Sequence, residues 1–357
     1  MVDPAARAPA APPGSPEIAI VVAAYRRRRY LEEALASALA AGPADGRREI
    51  LALVDSEEGF DRDRWARQGV RLRVDPEPTI GRWWLGAIDA TTAPYVAFLE
   101  DDDRFAPGRL DRALAALRAD PSIVFYRNRV RVLSAEGEPV PFEEYSALER
   151  DAGLDRTGPI TIRAGDGEEG IRRLRVLGTE WFNASTMVFH REILTEGVRP
   201  LVAASACPDL FVFLAAVVHG GSLYLDDVRS TDRRRSAASA SQRPGWQRLH
   251  WEDHARWAPY LRARGPAALA TWIEQRTRVF AQVVAAAEVL APVRAGRPRP
   301  EARPAIQGYL RRLLREGPVR SPRAVRLGTA ALGCAYQIAP AATRRILSRL
   351  DGPLDLP

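Results

Sequence analysis

Residues 18–23 (IAIVVA) are an apolar run with β-branched bias, the pattern of a strand buried on both faces, and Leu31, Leu35, Ala38 and Leu39 then recur at helical spacing. The alternation continues. Residues 49–54 (EILALV) and 70–74 predict strands closing in Asp55 and Asp75, residues 80–90 a helix, and residues 95–99 (YVAFL) a further strand. Pro107 opens a helix with Leu110, Ala113 and Leu114 on one face. Strands alternating with helices predict an α/β fold, Rossmann-like, with a mostly parallel sheet flanked by helices. One edge of that sheet collects Tyr25, Asp55, Asp75 and the acids that follow Leu99.

Residues 122–128 predict another strand, with a hairpin return over 129–140, and residues 141–160 read as an acidic loop. A helix over 168–177 leads to a mixed polar and apolar strand over 181–189 (WFNASTMVF). Asp209 then stands at the mouth of a strongly apolar helix that stops at Gly220 and Gly221. Residues 222–225 form a short strand, and 229–243 are a polar stretch dense in Arg and Ser. Beyond it come long helical patterns at 267–290 and 305–315, the second with Ile306, Tyr309, Leu310, Leu313 and Leu314 on one face. The expected organisation is a Pro/Ala-rich leader over 1–16, a catalytic-type α/β domain over 17–245 and a helical, Arg-rich extension over 246–357.

A hydrophobic content of 46% with 27% charged residues is that of an ordinary globular protein. Cys207 and Cys334 supply neither a disulfide framework nor a metal knuckle, which suits a cytoplasmic setting. All 52 basic residues are arginine, so no step can use a lysine as Schiff base, general base or phosphate clamp. Residues 291–357 hold thirteen arginines and four acids, a net of +9 against +7 for the whole chain, so the basicity belongs to the tail. With no familiar nucleic-acid motif beside it, that charge does not predict a nucleic-acid partner. The charge-free stretch 327–342, broken by Gly and Pro, is short for a membrane span. Flanked by arginines, it could lie on the inner, anionic face of a membrane or cover the catalytic domain.

The informative chemistry is in residues 95–110, YVAFLEDDDRFAPGRL. Carboxylates crowded at the end of a strand repel one another, so a fold keeps them there where a cation, ligand hydroxyls or water absorb the charge. A solvated acidic turn is the simpler reading; the buried strand in front and the Pro-led helix behind argue against it.

Together these segments resemble a family 2 glycosyltransferase of the GT-A fold over residues 17–240. IAIVVAAYRRRRYLEEALASALA is similar to that family's first strand, Tyr-containing turn and helix, with Arg26 where asparagine is common. VDS at 54–56 is similar to its second acidic turn, LEDDDRFAPGRL to its Asp-x-Asp segment and NASTMVFHREIL to its acceptor wall. PDLFVFLAAVVHGG is similar to its Glu-Asp helix, with Pro208 in place of the glutamate.

The resemblance implies roles. Ala24, Tyr25 and Asp55 would hold the nucleoside, Asp101 the ribose, and Asp102 helped by Asp103 a Mg²⁺ or Mn²⁺ that bridges the diphosphate. Asp209 would be the general base, with a helix cap as its bland alternative. Trp83 and Trp84 replace the Arg-Asn pair that the family carries before Gly86, leaving Arg82 as a candidate donor contact. Arg233, Arg234 and Arg235 could fork onto the phosphates or form a solvated basic loop, and Arg235 is the candidate taken forward. Trp181 and Asn183 are the acceptor candidates, the first because sugars stack on aromatic rings.

The expected donor is a UDP-, dTDP- or GDP-sugar and the acceptor carries a hydroxyl, with inversion at the anomeric carbon. Cell-surface glycan or natural-product biosynthesis is the setting such an enzyme suggests. His250 and His254 in HWEDH are one helical turn apart, but their order differs from a zinc-protease pattern and packing accounts for them. A sugar nucleotidyltransferase would want glycines and a lysine after the first strand, where this chain has AAYRRRR. A noncatalytic nucleotide- or carbohydrate-binding protein is the other alternative, kept open by Pro208 and the double Trp.

Overall fold

The computed structural model describes residues 14–25, 28–43, 46–77, 79–144, 158–177, 183–235, 246–278 and 281. They divide into two compact units, one comprising Met1–Gln242 with Tyr260–Leu269 and the other Arg243–Pro259 with Ala270–Pro357.

In the first unit nine strands form one sheet, ordered β3-β2-β1-β4-β8-β6-β9-β5, with β7 paired to β9. The strands are β1 (Ile18–Ala24), β2 (Arg48–Val54), β3 (Val70–Val74), β4 (Tyr95–Glu100), β5 (Arg104–Phe105), β6 (Ile123–Leu133), β7 (Ile160–Ile162), β8 (Met187–His190) and β9 (Ser222–Arg234). Helices among the described residues include α1 (Leu31–Ala40), α2 (Arg62–Arg67), α3 (Ile80–Asp89), α4 (Arg109–Ala119), α5 (Gly167–Leu177), α6 (Arg199–Ala203), α7 (Pro208–His219) and α8 (Trp246–Arg264). Strands β1 to β4 are parallel, as the alternation predicts. The rest of the sheet is mixed: β8 runs antiparallel to β4 and β6, and β5 and β7 antiparallel to β9.

The β1 side chains alternate between two apolar layers, which is why its sequence is an unbroken hydrophobic run. One layer packs Ile20, Val22, Ala97 and Leu99 under Leu31 and Leu35 of α1 and Leu110 and Leu114 of α4. On the other, Trp84 of α3 stacks on Phe98 at 3.8 Å and Phe213 of α7 meets Phe125 edge-on at 5.7 Å. Helix α7 is apolar nearly all round because nine of its twelve residues are buried, and Gly220 ends it at φ 84°.

Four expectations for the later chain are corrected. Strand β6 does not end at Asn128 but runs on to Leu133; the chain then turns over residues 135–139, and Pro139 bridges Leu133 while the Val140 N–H donates to the Val132 carbonyl at 2.9 Å. Strand β9 extends through the polar stretch to Arg234, because its polar side chains find partners: Arg112 on Asp226, Asn128 on Thr231, and Arg131 and Arg104 on Asp232. The strand expected from residue 181 begins only at Met187, behind a single 3-10 turn at Ala184–Thr186. Residue 160 belongs to β7 rather than to a loop.

Residues 267–278 are helical, and the backbone N–H groups of Ala267 and Ala268 are capped by the Glu168 carboxylate at 2.6 and 2.9 Å. In the second unit His254 and Trp257 are buried. Among the described residues no helix is long and apolar enough to cross a membrane. The helix expected at 305–315 and the stretch 327–342 lie outside them.

Candidate active site

Parallel pairing aligns the ends of β1 to β4. Ala24 pairs with Val54, Val54 with Val74 and Ala23 with Glu100, so Tyr25, Asp55, Asp75 and Asp101 come next along one edge. Ligands of open α/β sheets bind outside this carboxyl edge. Because β8 is antiparallel to β4, the segment preceding it, with Asn183 and Ser185, arrives at the same edge. Helix α7 leads to β9, whose first residues pair with the start of β6 at the opposite edge, so the head of α7 with Asp209 points toward the carboxyl edge.

Asp101, Asp102 and Asp103 are 2%, 8% and 2% exposed. The Asp103 carboxylate accepts from Asn183 Nδ2 at 2.8 Å, Ser185 Oγ at 2.7 Å and the backbone N–H of Arg234 at 3.0 Å. Ser185 Oγ in turn accepts from the Glu100 N–H at 3.0 Å, tying the end of β4 to the turn before β8. Burial, and after it the Asp102 charge, push Asp103 up to about 6 despite these donors. Asn183 is the one non-glycine residue with positive φ among those described, at 68°, and that turn aims its amide at Asp103. Such a conformation persists only where its surroundings enforce it. Its Oδ1 is buried and has no partner among the described residues.

These residues fit a divalent cation. Carboxylate oxygens are the hard donors that Mg²⁺ and Mn²⁺ take, and the repulsion between Asp102 and Asp103 is what such an ion relieves. Among the described residues no group of three or more His, Cys, Asp or Glu is placed to hold a metal alone.

On the other side of the edge, Tyr25 meets Trp83 edge-to-face at 5.6 Å, and Trp83 Nε1 donates to the Asp75 carbonyl at 2.9 Å. The Trp pair therefore has two jobs, Trp84 in the core and Trp83 behind Tyr25. Arg82 lies on the exposed face of α3. Arg28, which the sequence reading passed over within a run of four arginines, stands 3.8 Å from Asp55 and donates to Ser56 Oγ at 3.2 Å and to the Ser56 carbonyl. Nothing in AYRRRR separates one arginine from the next; only the turn geometry does.

Asp209 occupies the first turn of α7, where the helix dipole favours a carboxylate, and Pro208 takes the first position, where its missing N–H costs nothing. The Asp209 Oδ1 accepts from the Leu210 N–H at 2.9 Å. Arg235 is half-buried and donates to the Glu144 carbonyl at 2.8 Å. Arg233 is near enough to Asp103 to lower its pKa, whereas Arg234 is buried. Trp181 lies outside the described residues.

A sheet led by parallel strands, flanked by helices and carrying buried carboxylates on its carboxyl edge, is the arrangement of the GT-A fold. Residues 19–175 match the family described as Glycosyl transferase family 2. Among solved structures the chain is similar to S. aureus TarS 1–349, with a TM-score of 0.52 and 11% identity over 93% of this chain and 90% of that one. It is similar also to TarS 1–349 in complex with UDP-GlcNAc, with a TM-score of 0.54 and 9% identity over the same shares. Against the longer TarS structure the TM-score is 0.52 at 12% identity, over 93% of this chain and 55% of that one. At these identities the likeness concerns the fold. No curated protein sequence matches.

Proposed function

We propose that this chain is a divalent-cation-dependent, inverting glycosyltransferase that moves a sugar from a nucleoside diphosphate to an acceptor hydroxyl. The observation that carries this reading is the buried triplet at the end of β4, in which Asp103 is tied down by three donors while Asp102 stands beside it. The fold neighbour TarS 1–349 has been crystallised with UDP and with UDP-GlcNAc, which makes a UDP-sugar the first donor to test, ahead of dTDP- and GDP-sugars.

Asp55 and Arg28 offer an acceptor and a donor side by side, the complement of a base edge that presents an N–H next to a carbonyl. Ala24 and Tyr25, with Trp83 behind, form the floor beside them, and Asp101 faces the ribose. Asp102, with Asp103 behind it, would hold a Mg²⁺ or Mn²⁺, which would supply neutralisation of the charge on the departing diphosphate. Asp209 accepts the proton of the acceptor hydroxyl as its oxygen bonds to the anomeric carbon from the face opposite the phosphate. The bond from that carbon to the phosphate oxygen breaks in the same displacement, and the electron pair leaves with the diphosphate. Asn183 Oδ1 is a hydrogen-bond acceptor for a ligand hydroxyl at the acid cluster. The residues after 245 are an appendage to this centre, and their arginines suit peripheral contact with an anionic surface.

The reading is tested by a thermal-shift screen of UDP-, dTDP- and GDP-sugars with and without Mn²⁺. A donor that binds the native state raises the melting temperature. A rise with one nucleotide class that requires the metal supports the proposal, and no rise with any of them under either condition refutes it.

A further inference from the structure

The sequence presents Arg233, Arg234 and Arg235 as equivalent, and the structure does not. The Arg234 side chain is 2% exposed, and every nitrogen of its guanidinium is engaged. Nε donates to the Asp102 carbonyl at 3.3 Å, NH1 to the Ala135 carbonyl at 3.2 Å and NH2 to the Glu33 carboxylate at 2.7 Å. The guanidinium carbon lies 4.2 Å from the centroid of the Tyr30 ring, whose hydroxyl donates to the same Ala135 carbonyl at 2.8 Å. Its backbone N–H holds Asp103.

These partners come from separate parts of the chain. Asp102 and Asp103 belong to the acid cluster, Tyr30 and Glu33 to the head of α1, and Ala135 to the turn after β6. The head of α1 follows directly on Arg28, which grips the Asp55 turn. Gly137 completes the seat: a Cβ there would lie 2.9 Å from Arg234 NH1.

We propose that Arg234 is a positioning residue, a buried strut that sets the spacing between the nucleoside-holding turn and the acid cluster, and that it is not itself a phosphate ligand. The inference rests on the donor reading above. A planar fork with five donors can hold three loops at fixed separation, whereas a lysine at that position could satisfy only part of the set. Without the strut each half of the site persists while their separation relaxes, and misplacement on the scale of 1 Å is worth about a hundredfold. A ligand spanning both halves then suffers, and a ligand using one half does not.

The test compares uridine with UDP plus Mn²⁺ by calorimetry or NMR titration, on wild type, Arg234→Met, Arg234→Lys and Glu33→Ala. The expected result for Arg234→Met is UDP affinity lower by roughly ten- to a hundredfold with uridine affinity held within about twofold, and no rescue by Arg234→Lys. Restored UDP affinity in Arg234→Lys would instead identify a charge contact with phosphate and overturn the strut. Equal weakening of both ligands would reduce Arg234 to general stability and overturn it too. Glu33 is half-exposed and stands outside the acid cluster, so Glu33→Ala keeps the question open to refutation if Arg234→Met fails to fold. Its ratio of UDP to uridine affinity should fall in the same direction, and an unchanged ratio contradicts the proposal. A wild-type protein that binds none of UDP, dTDP and GDP overturns the donor reading and the strut with it, whereas wild-type binding of one of them, with its nucleoside as the comparison ligand and unchanged variant ratios, overturns the strut alone.

Discussion

Substituting Gly81 by alanine pits local propensity against tertiary packing, and the two disagree in sign. Helix propensity alone favours alanine over glycine by about 1 kcal/mol. The structure opposes it: a Cβ at position 81 would lie 1.7 Å from the carbonyl oxygen of Val202 and 3.0 Å from that of Ser205. A carbon and a carbonyl oxygen meet no closer than about 3.3 Å, so α3 would have to retreat by roughly 1.6 Å. That retreat breaks the bond from the Gly81 N–H to the Ser205 carbonyl, now 2.9 Å. Overpacking costs about 1–3 kcal/mol and the lost hydrogen bond about 1 kcal/mol, which leaves a net loss of about 1–3 kcal/mol after propensity is credited. For a domain of this size that lowers the melting temperature by roughly 2–12 °C. Urea denaturation followed by Trp fluorescence, with Trp83 and Trp84 on the displaced helix, measures it. Because Trp83 backs Tyr25 and Ser205 lies just before the Asp209 helix, donor affinity and turnover should both fall. A Gly81→Ala protein as stable as wild type, or more so, would refute the packing argument.

Asp226 is 1% exposed and accepts from Arg112 Nε at 2.5 Å and NH2 at 3.0 Å and from the Tyr126 hydroxyl at 2.7 Å. Burial alone would raise its pKa, but these donors hold it below the ordinary aspartate value. Asp226→Asn should therefore cost about 2 kcal/mol at pH 7 in urea denaturation, the half-exposed Arg112 limiting the loss. The stability held by this carboxylate is complete above the unfolded pKa, near 4, and is lost as pH falls through the lower folded value. The gap between variant and wild type should accordingly close in acid, and a gap that widened there would contradict the assignment. Asp209→Asn should lower turnover by about a hundredfold or more with donor KM nearly unchanged, read as nucleotide release with a confirmed acceptor. A near-normal rate would remove Asp209 from the mechanism.

The first half of the fold was legible because β1 to β4 are buried on both faces and their sequences say so, each closing in a polar residue at the carboxyl edge. Legibility failed where polar side chains satisfy one another inside the sheet. Thr231 and Asp232 fall in the polar stretch over 229–243 and Asp226 lies just past the short strand expected there, yet partners on α4, β6 and β5 let β9 continue past them. Asn183 was visible as a site residue, but its turn at φ 68° and its bond to Asp103 depend on the antiparallel entry of β8, which no local pattern announces. The division of labour among Arg28, Arg233, Arg234 and Arg235 was hidden for a simpler reason: identical side chains in a run differ only in what lies around them.

In the proposed reaction the acid cluster binds a nucleoside diphosphate together with a divalent cation through Asp102. Calorimetric titration of UDP into wild type and Asp102→Asn, each with and without Mn²⁺, tests it most directly. Binding by wild type should strengthen with Mn²⁺, and Asp102→Asn should bind more weakly and no longer respond to the metal. The same metal-dependent affinity in both proteins would contradict it.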